Sequence, residues 1–163
     1  MKILFVTATR IGDAVLSTGL LGHLIERHQG ARLTIAAGPA AAPLFEAVPG
    51  LDRLLVLEKR PYRLHWAALY GAVALARWDL VVDLRGSGLA YALWARRRAV
   101  AAKGDYNEHK VMQLARLFAL DPPPAPRLWL GPQHHERASA VSQVLVDRVD
   151  LVRQQRANRS RDY

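Results

Sequence analysis

The sequence predicts an α/β domain in which helices cover both faces of a parallel sheet. Short apolar runs alternate with segments of helical periodicity, and two glycine-bearing turns, at Gly12 and at Gly86–Gly88, directly follow such runs. Strands buried on both faces are apolar throughout, and parallel strands need helical crossovers. Right-handed crossovers then give a doubly wound, Rossmann-like sheet, which we expect to span residues 1–130.

The first part of this domain contains three predicted strands. They are expected at Lys2–Thr7, Arg32–Ala37 and Arg53–Leu57. A helix is expected from about Ala14 to a capping Gly30, because leucines recur there at helical spacing. A second helix is expected to begin at Pro39, which suits a first helical turn, and to run through Phe45.

The remaining predicted elements continue the alternation. Helices are expected at Leu64–Arg77, Leu89–Ala95 and Glu108–Ala119, and strands at Trp78–Leu84 and Arg98–Ala102. The proline-rich segment Asp121–Pro126 is expected to be a stiff, extended connector. Residues 131–163 are predicted to form a helical to disordered tail, because their end is polar, rich in arginine and without a core pattern.

Composition and charge restrict the functional classes. The 163 residues carry a net charge of +9 and contain no cysteine, which excludes disulfides and thiolate metal sites. The charge indicates an anionic partner (phosphate, nucleic acid or an anionic membrane surface) or a bias towards arginine. The apolar run Ile3–Val6 is too short for a signal peptide, and Ala67–Ala76 is too short to span a bilayer. We therefore expect a soluble, cytoplasmic protein that can make peripheral contact with a membrane surface.

Asp13 is the main candidate for a functional residue. It follows the first strand, at the sheet edge where backbone N–H groups and a helix dipole face a ligand. On local chemistry it is most simply an N-cap; the alternative is a general base that takes a proton from an acceptor hydroxyl. The turn has one glycine, Gly12, and no Gly-Lys-Ser/Thr sequence, so it matches neither a dinucleotide fingerprint nor a P-loop.

The turn after the fourth strand is the second candidate region. Asp83 ends that strand and is favoured as a structural carboxylate that accepts a hydrogen bond from Arg85 or a loop N–H. The turn Arg85–Gly88 offers donors for an anionic or hydroxylated ligand, although a plain turn fits equally well. The histidines lack metal-ligand spacing, so no metal is expected. The tryptophans are expected to pack in the core or at its edge.

Three segments, taken in order, carry a resemblance to a known family. They are Arg10–Thr18 behind the first apolar run, Pro49–Arg53 before the third strand and Trp78–Gly86 across the fourth. Together they resemble glycosyltransferase family 9, the lipopolysaccharide heptosyltransferases, over about residues 1–130. The resemblance implies the GT-B fold, in which two Rossmann-like domains face a cleft. This chain corresponds to the amino-terminal, acceptor-binding half.

The resemblance also implies roles for particular residues. Asp13 matches the family's catalytic base, which deprotonates an acceptor hydroxyl so that it attacks the sugar's anomeric carbon with inversion. The implied acceptor is a sugar-lipid with phosphate or carboxylate groups, and the donor is a nucleotide-sugar bound by a second domain; no metal or cofactor is implied. Acceptor binding is assigned to Arg10, Gly12, Lys59, Arg60, Arg85 and Ser87.

The second domain is not recognisable in this sequence, so we expect a truncated or frameshifted product that is inactive alone. Whether the chain by itself is an enzyme stays open. One alternative is a non-catalytic module that binds an anionic glycolipid. The other is a basic nucleic-acid-binding protein, which is disfavoured because no reader motif and no interleaving of aromatic and basic residues is present.

Overall fold

The computed structural model describes residues 1–58, 64–102, 108–132, 134–136 and 138–139. The chain divides into two compact units, Met1–Trp129 and Leu130–Tyr163. Residues 134–136 and 138–139 of the second unit are helical. The other predictions for the tail, and those for Lys59 and Arg60, lie outside the described residues.

The first unit alternates strands with helices. In chain order these are β1 (Lys2–Val6), α1 (Ile11–Arg27), β2 (Arg32–Ala37), a short 3₁₀ helix (Ala42–Phe45), β3 (Leu51–Val56), α2 (Leu64–Val73), β4 (Trp78–Asp83), α3 (Leu89–Ala92), β5 (Ala95–Val100) and α4 (Lys110–Arg116). All strand pairs are parallel, in the order β3-β2-β1-β4-β5. The sheet grows outwards from β1 in both directions, so the predicted doubly wound α/β fold is confirmed.

The core lies on both faces of the central strand. Ile3–Val6 are completely buried, and Phe5 lies between Ile35 of β2 and Val82 of β4. Since side chains alternate along a strand, Ile3 and Phe5 pack with α1 and α4, whereas Leu4 and Val6 pack with α2 and α3. Coverage of both faces explains why the strand is apolar without interruption.

Two helix starts differ from the prediction. α1 begins at Ile11, about one turn before the expected start at Ala14. The helix expected from Pro39 is only the 3₁₀ turn that begins at Ala42. Its start is delayed because the Gly38 carbonyl first closes a separate turn, accepting hydrogen bonds from the N–H groups three and four residues later.

The α3–β5 boundary also differs from the prediction. β5 begins at Ala95, which lies opposite Trp78 of β4, rather than at Arg98. The Arg98 guanidinium donates hydrogen bonds of 2.7 Å to each of the carbonyls of Ala90 and Leu93. These bonds satisfy carbonyls at the end of α3, so the helix stops after one turn and the chain is available to pair with β4.

The segment after α4 returns along α1 and packs closely against it. The backbone N–H of Arg127 donates to Thr18 Oγ1 at 2.9 Å, and the Arg127 guanidinium pairs with Glu26 at 2.6 Å. A Cβ at Gly19 would lie only 2.4 Å from the Pro124 carbonyl oxygen. This contact therefore requires a glycine in the middle of α1.

Neither a membrane-spanning helix nor a metal-binding cluster is found among the described residues. The longest of the described helices, α1, has 17 residues, fewer than the ~20 apolar residues that a bilayer requires. No described helix combines the length and apolarity needed to cross a membrane. No three described histidine, aspartate or glutamate side chains are grouped so that they could hold a metal ion.

Candidate functional site at the carboxyl edge of the sheet

The carboxyl ends of β1 and β4 meet at the point where the winding of the sheet reverses. The Leu84 N–H donates to the Val6 carbonyl at 2.9 Å, so the turns that follow these strands begin side by side. One turn leads to α1 on one face and the other leads to α3 on the opposite face. In open α/β sheets the resulting crevice is the usual ligand site.

Asp13 lies within the first turn of α1, and its interpretation as an N-cap is wrong. Arg10 is the N-cap residue, with φ −78° and ψ 134°, and it makes no side-chain capping bond. The first helical hydrogen bond runs from Ala14 N–H to the Arg10 carbonyl, at 3.0 Å. Asp13 is therefore the third helical residue, where the helix dipole favours a negative charge.

The first turn of α1 forms one wall of an open groove of about 750 Å³. Its lining residues are Arg10, Ile11, Gly12, Asp13, Val15 and Leu16. Asp13 is half-buried, and within the described part of the chain its carboxylate makes no hydrogen bond or ion pair. Its oxygens can accept the proton of a hydroxyl placed in the groove.

The structure brings Arg10 and Gly12 together with Asp13 in this groove. Arg10 is exposed, and a Cβ on Gly12 would meet no atom within 4 Å. Packing therefore does not require glycine at this position. Both residues remain predictions as acceptor-binding groups, and Ile11, Val15 and Leu16 are further lining residues that the sequence reasoning did not assign.

The second half of the Arg10–Thr18 motif stabilises the fold. The hydroxyls of Thr7 and Ser17 lie 2.8 Å apart, and Ser17 Oγ donates to the Ala14 carbonyl at 2.7 Å. Thr18 is the residue that accepts the hydrogen bond from the returning chain at Arg127. The motif thus combines a groove-facing first part with a buried second part that attaches α1 to its surroundings.

Asp83 holds the second turn together, which confirms its structural interpretation. It is completely buried, and its Oδ1 accepts a hydrogen bond from the Arg85 N–H at 3.0 Å. Its Oδ2 accepts from the Ser87 N–H at 2.9 Å and from the Ser87 hydroxyl at 2.7 Å. Both donors of Ser87 are therefore used inside the turn, and the predicted binding role of Ser87 would require it to release Asp83.

Arg85 projects from this turn onto an aromatic ring. Its guanidinium carbon lies 4.7 Å from the centroid of the Trp66 ring, and both side chains are half-buried. Trp66 belongs to the first turn of α2 and also packs against the core on that face of the sheet. The sequence reasoning assigned Trp66 to packing alone. No local sequence signal marks its contact with Arg85.

Similar solved structures are heptosyltransferases and a family 9 glycosyltransferase. E. coli heptosyltransferase WaaC, solved with ADP, has a TM-score of 0.55 and 15% identity, with 82% of this chain and 51% of WaaC covered. The family 9 glycosyltransferase of Veillonella parvula has a TM-score of 0.64 and 14% identity, with 81% and 45% covered. The E. coli ADP-heptose LPS heptosyltransferase II has a TM-score of 0.58 and 18% identity, with 88% and 50% covered.

The chain shares its fold with about half of each of these glycosyltransferases. It spans about half the length of each of these family 9-like structures, and at such low identity the likeness concerns the fold alone. No protein-family model matches the sequence, and no curated protein matches it significantly. The predicted likeness to the GT-B glycosyltransferases is therefore confirmed for the architecture, while the roles of individual residues remain predictions.

Proposed function

We propose that the chain is the acceptor-binding half of an inverting glycosyltransferase. The transferred sugar is heptose-like, and it passes from a nucleotide-sugar to an acceptor of the lipopolysaccharide core type. The observation that carries this proposal is Asp13, a half-buried carboxylate in a groove at the switch point of a family 9 glycosyltransferase fold. The acceptor is presented at the inner face of the membrane, where the protein acts as a peripheral, cytoplasmic component.

In this proposal the Asp13 carboxylate is the general base. It takes the proton of an acceptor hydroxyl while the hydroxyl oxygen attacks the donor's anomeric carbon. The new carbon–oxygen bond forms as the bond to the nucleoside diphosphate breaks on the opposite side of the sugar, so the configuration inverts. The proton remains on Asp13, and general-base assistance of this kind contributes about 10²- to 10⁴-fold in rate.

The charge of the protein supports an anionic acceptor. The net charge is +9, Arg10 is exposed beside the groove, and Arg85 lies at the same edge of the sheet. In the sequence, Lys59 and Arg60 follow β3, which also ends at this edge. Arginine guanidinium groups bind phosphates and carboxylates through paired N–H donors, which suits an acceptor rich in such groups.

The donor site is proposed to lie in a second half of similar size. Similar structures are about twice as long as the part that this chain matches, and one of them was solved with ADP. The negative charge that develops on the leaving diphosphate needs dipoles or cations for its stabilisation, and these would come from that second half. We therefore expect no transfer by the 163-residue chain alone.

The experiment joins this chain to the donor-binding half of a family 9 enzyme and measures heptose transfer from ADP-heptose. Asp13→Asn should lower transfer about 10²- to 10⁴-fold and leave acceptor binding unchanged, because the amide cannot take the proton but keeps the side chain's shape. Asp52→Asn is the matched control, since Asp52 lies in β3 and pairs with exposed Arg32. Equal transfer by Asp13→Asn and the unsubstituted protein would exclude Asp13 as the base.

A non-catalytic module that holds an anionic glycolipid is the second candidate. The net charge of +9 and the exposed Arg10 favour it, because they suit the binding of an anion whether or not a sugar is transferred. In the same experiment this candidate predicts acceptor binding without any transfer, with Asp13→Asn behaving like the unsubstituted chain.

A further inference from the structure

We propose that Trp66 is a positioning residue that orients Arg85 to bind a phosphate or carboxylate group on the acceptor sugar. This inference rests on the proposed function and goes beyond it by giving Trp66 a role in acceptor recognition through Arg85. It stands on the conformation of the turn, the contact between the two side chains and the location of that contact in the fold.

The backbone of Arg85 is fixed independently of any ligand. Its N–H donates to Asp83 Oδ1 at 3.0 Å, and the two donors of Ser87 hold the other carboxylate oxygen. Gly86 adopts a φ of +57°, and a Cβ there would lie 2.7 Å from the Ala101 carbonyl oxygen. The turn therefore has little freedom, and it presents the Arg85 side chain at the carboxyl end of β4.

Trp66 contacts the charged end of the Arg85 side chain. The ring centroid lies 4.7 Å from the guanidinium carbon, which is the geometry of a cation–π contact. Stacking uses the flat face of the guanidinium, whereas the hydrogen bonds that hold an oxyanion form along its edge. A guanidinium oriented in advance loses less side-chain entropy when it binds, so its affinity for the anion rises.

The location of the pair suits an acceptor group. Arg85 follows β4 and Asp13 follows the neighbouring strand β1, so both residues lie beyond adjacent strand ends at the carboxyl edge of the sheet. The acceptor class expected for this half of the fold carries phosphates or carboxylates, which are the ligands that guanidinium groups bind best.

The test measures binding of glucose 1-phosphate, glucuronate and neutral glucose to the 163-residue chain by calorimetry. Both anionic sugars should bind more tightly than glucose, with the difference between them separating phosphate from carboxylate. Arg85→Gln should weaken binding of the preferred anion about 10-fold, which is typical of a lost charge-assisted hydrogen bond. Trp66→Leu should weaken it about 3- to 10-fold, and Trp66→Phe should restore most of the affinity.

The controls separate positioning from general stability. Trp94→Leu and Arg97→Gln alter exposed side chains of the same types and should leave binding unchanged. If Trp66 acts through Arg85, Trp66→Leu has no further effect on binding in the Arg85→Gln background, whereas a merely structural role predicts an additional loss. Thermal unfolding of each variant confirms that it is folded.

Three outcomes would overturn this inference. They are equal binding of charged and neutral sugars, an unchanged affinity in Trp66→Leu, and an equal loss from Trp66→Leu with and without Arg85. The outcome for Asp13→Asn in the transfer experiment is independent of these measurements. If Asp13→Asn retained full transfer activity, Asp13 would be excluded as the base, whereas the proposed role of Trp66 and Arg85 in anion binding would be unaffected.

Discussion

The Asp13 side chain lies inside the first helical turn of α1 and lines the groove together with Arg10 and Gly12. The carboxylate oxygens of a capping aspartate accept hydrogen bonds from backbone N–H groups. The oxygens of an aspartate at the third helical position can instead point away from the backbone. At the level of single residues, this placement makes proton transfer chemically accessible to Asp13. Asp83 differs from Asp13 in this respect, because both of its carboxylate oxygens accept hydrogen bonds within a turn.

The Ser87 hydroxyl stabilises the turn that follows β4. Ser87→Ala removes the 2.7 Å hydrogen bond to buried Asp83 and leaves the other two bonds to the carboxylate in place. We expect the free energy of unfolding to fall by about 1–2 kcal/mol, because a buried carboxylate loses one donor. Urea denaturation measures this change.

The same Ser87 variant also tests the predicted role of Ser87 in acceptor binding. If Ser87 acts only within the turn, any loss of affinity for glucose 1-phosphate in Ser87→Ala should accompany its loss of stability. A clear loss of affinity without a loss of stability would instead support direct contact between Ser87 and the acceptor.

At the level of elements, α1 connects the candidate site to the core. Its first turn faces the groove. Its centre attaches to the end of the first strand through the contact of Ser17 with Thr7, the residue after β1, and to the returning chain through Thr18. The position of Asp13 therefore depends on packing along the helix as well as on the turn before it. Substitutions in the middle of α1 should change stability without altering the chemistry of the groove.

Two glycines in α1 provide a matched test of this division. Gly19→Ala should lower the free energy of unfolding by about 1–3 kcal/mol, because its Cβ would meet the Pro124 carbonyl oxygen at 2.4 Å. Gly12→Ala has open space around its Cβ and should leave stability unchanged or raise it by up to about 1 kcal/mol. Chemical denaturation compares the two, and equal effects would contradict the close approach at Gly19.

The predicted and observed boundaries of an element agree where residues at its own ends mark them. β2 has the predicted bounds, Arg32–Ala37, because its apolar pattern is bounded by a glycine turn on one side and by Gly38 on the other. The start of α1 was misplaced because Arg10, a residue without a capping side chain, occupies the N-cap. The end of α3 depends on Arg98 of β5, whose guanidinium donates hydrogen bonds to carbonyls near the end of the helix. No pattern in the helix sequence itself indicates this contact.

At the level of the whole molecule, the parallel, doubly wound sheet followed from the alternation of strands and helices. Asp13, Arg10 and Gly12 were predicted as neighbours because they share one turn. The contact between Trp66 and Arg85 was not predicted, because it depends on how α2 packs against the sheet. The contact between Thr18 and Arg127 joins residues 109 positions apart and was beyond prediction for the same reason.

The excess of positive charge gives a prediction for the whole chain. With a net charge of +9, its affinity for glucose 1-phosphate should fall as sodium chloride rises from about 0.05 M to about 0.5 M, since salt at these concentrations screens charges over distances of about 14 to 4 Å. Binding of neutral glucose should change little over the same range. Calorimetric titrations at several salt concentrations measure the affinities for both sugars. An affinity for glucose 1-phosphate that does not change with salt concentration would contradict an electrostatic acceptor site.

The central claim is that Asp13 is the base of a glycosyl transfer for which this chain binds the acceptor. Steady-state kinetics of Asp13→Asn, in the protein completed with a donor-binding half, test it most directly. We predict that kcat falls by about 10²- to 10⁴-fold while KM for the acceptor stays within about twofold, as expected when a proton acceptor is lost but binding is kept. A kcat close to that of the unsubstituted protein, or a defect confined to KM, would contradict the claim.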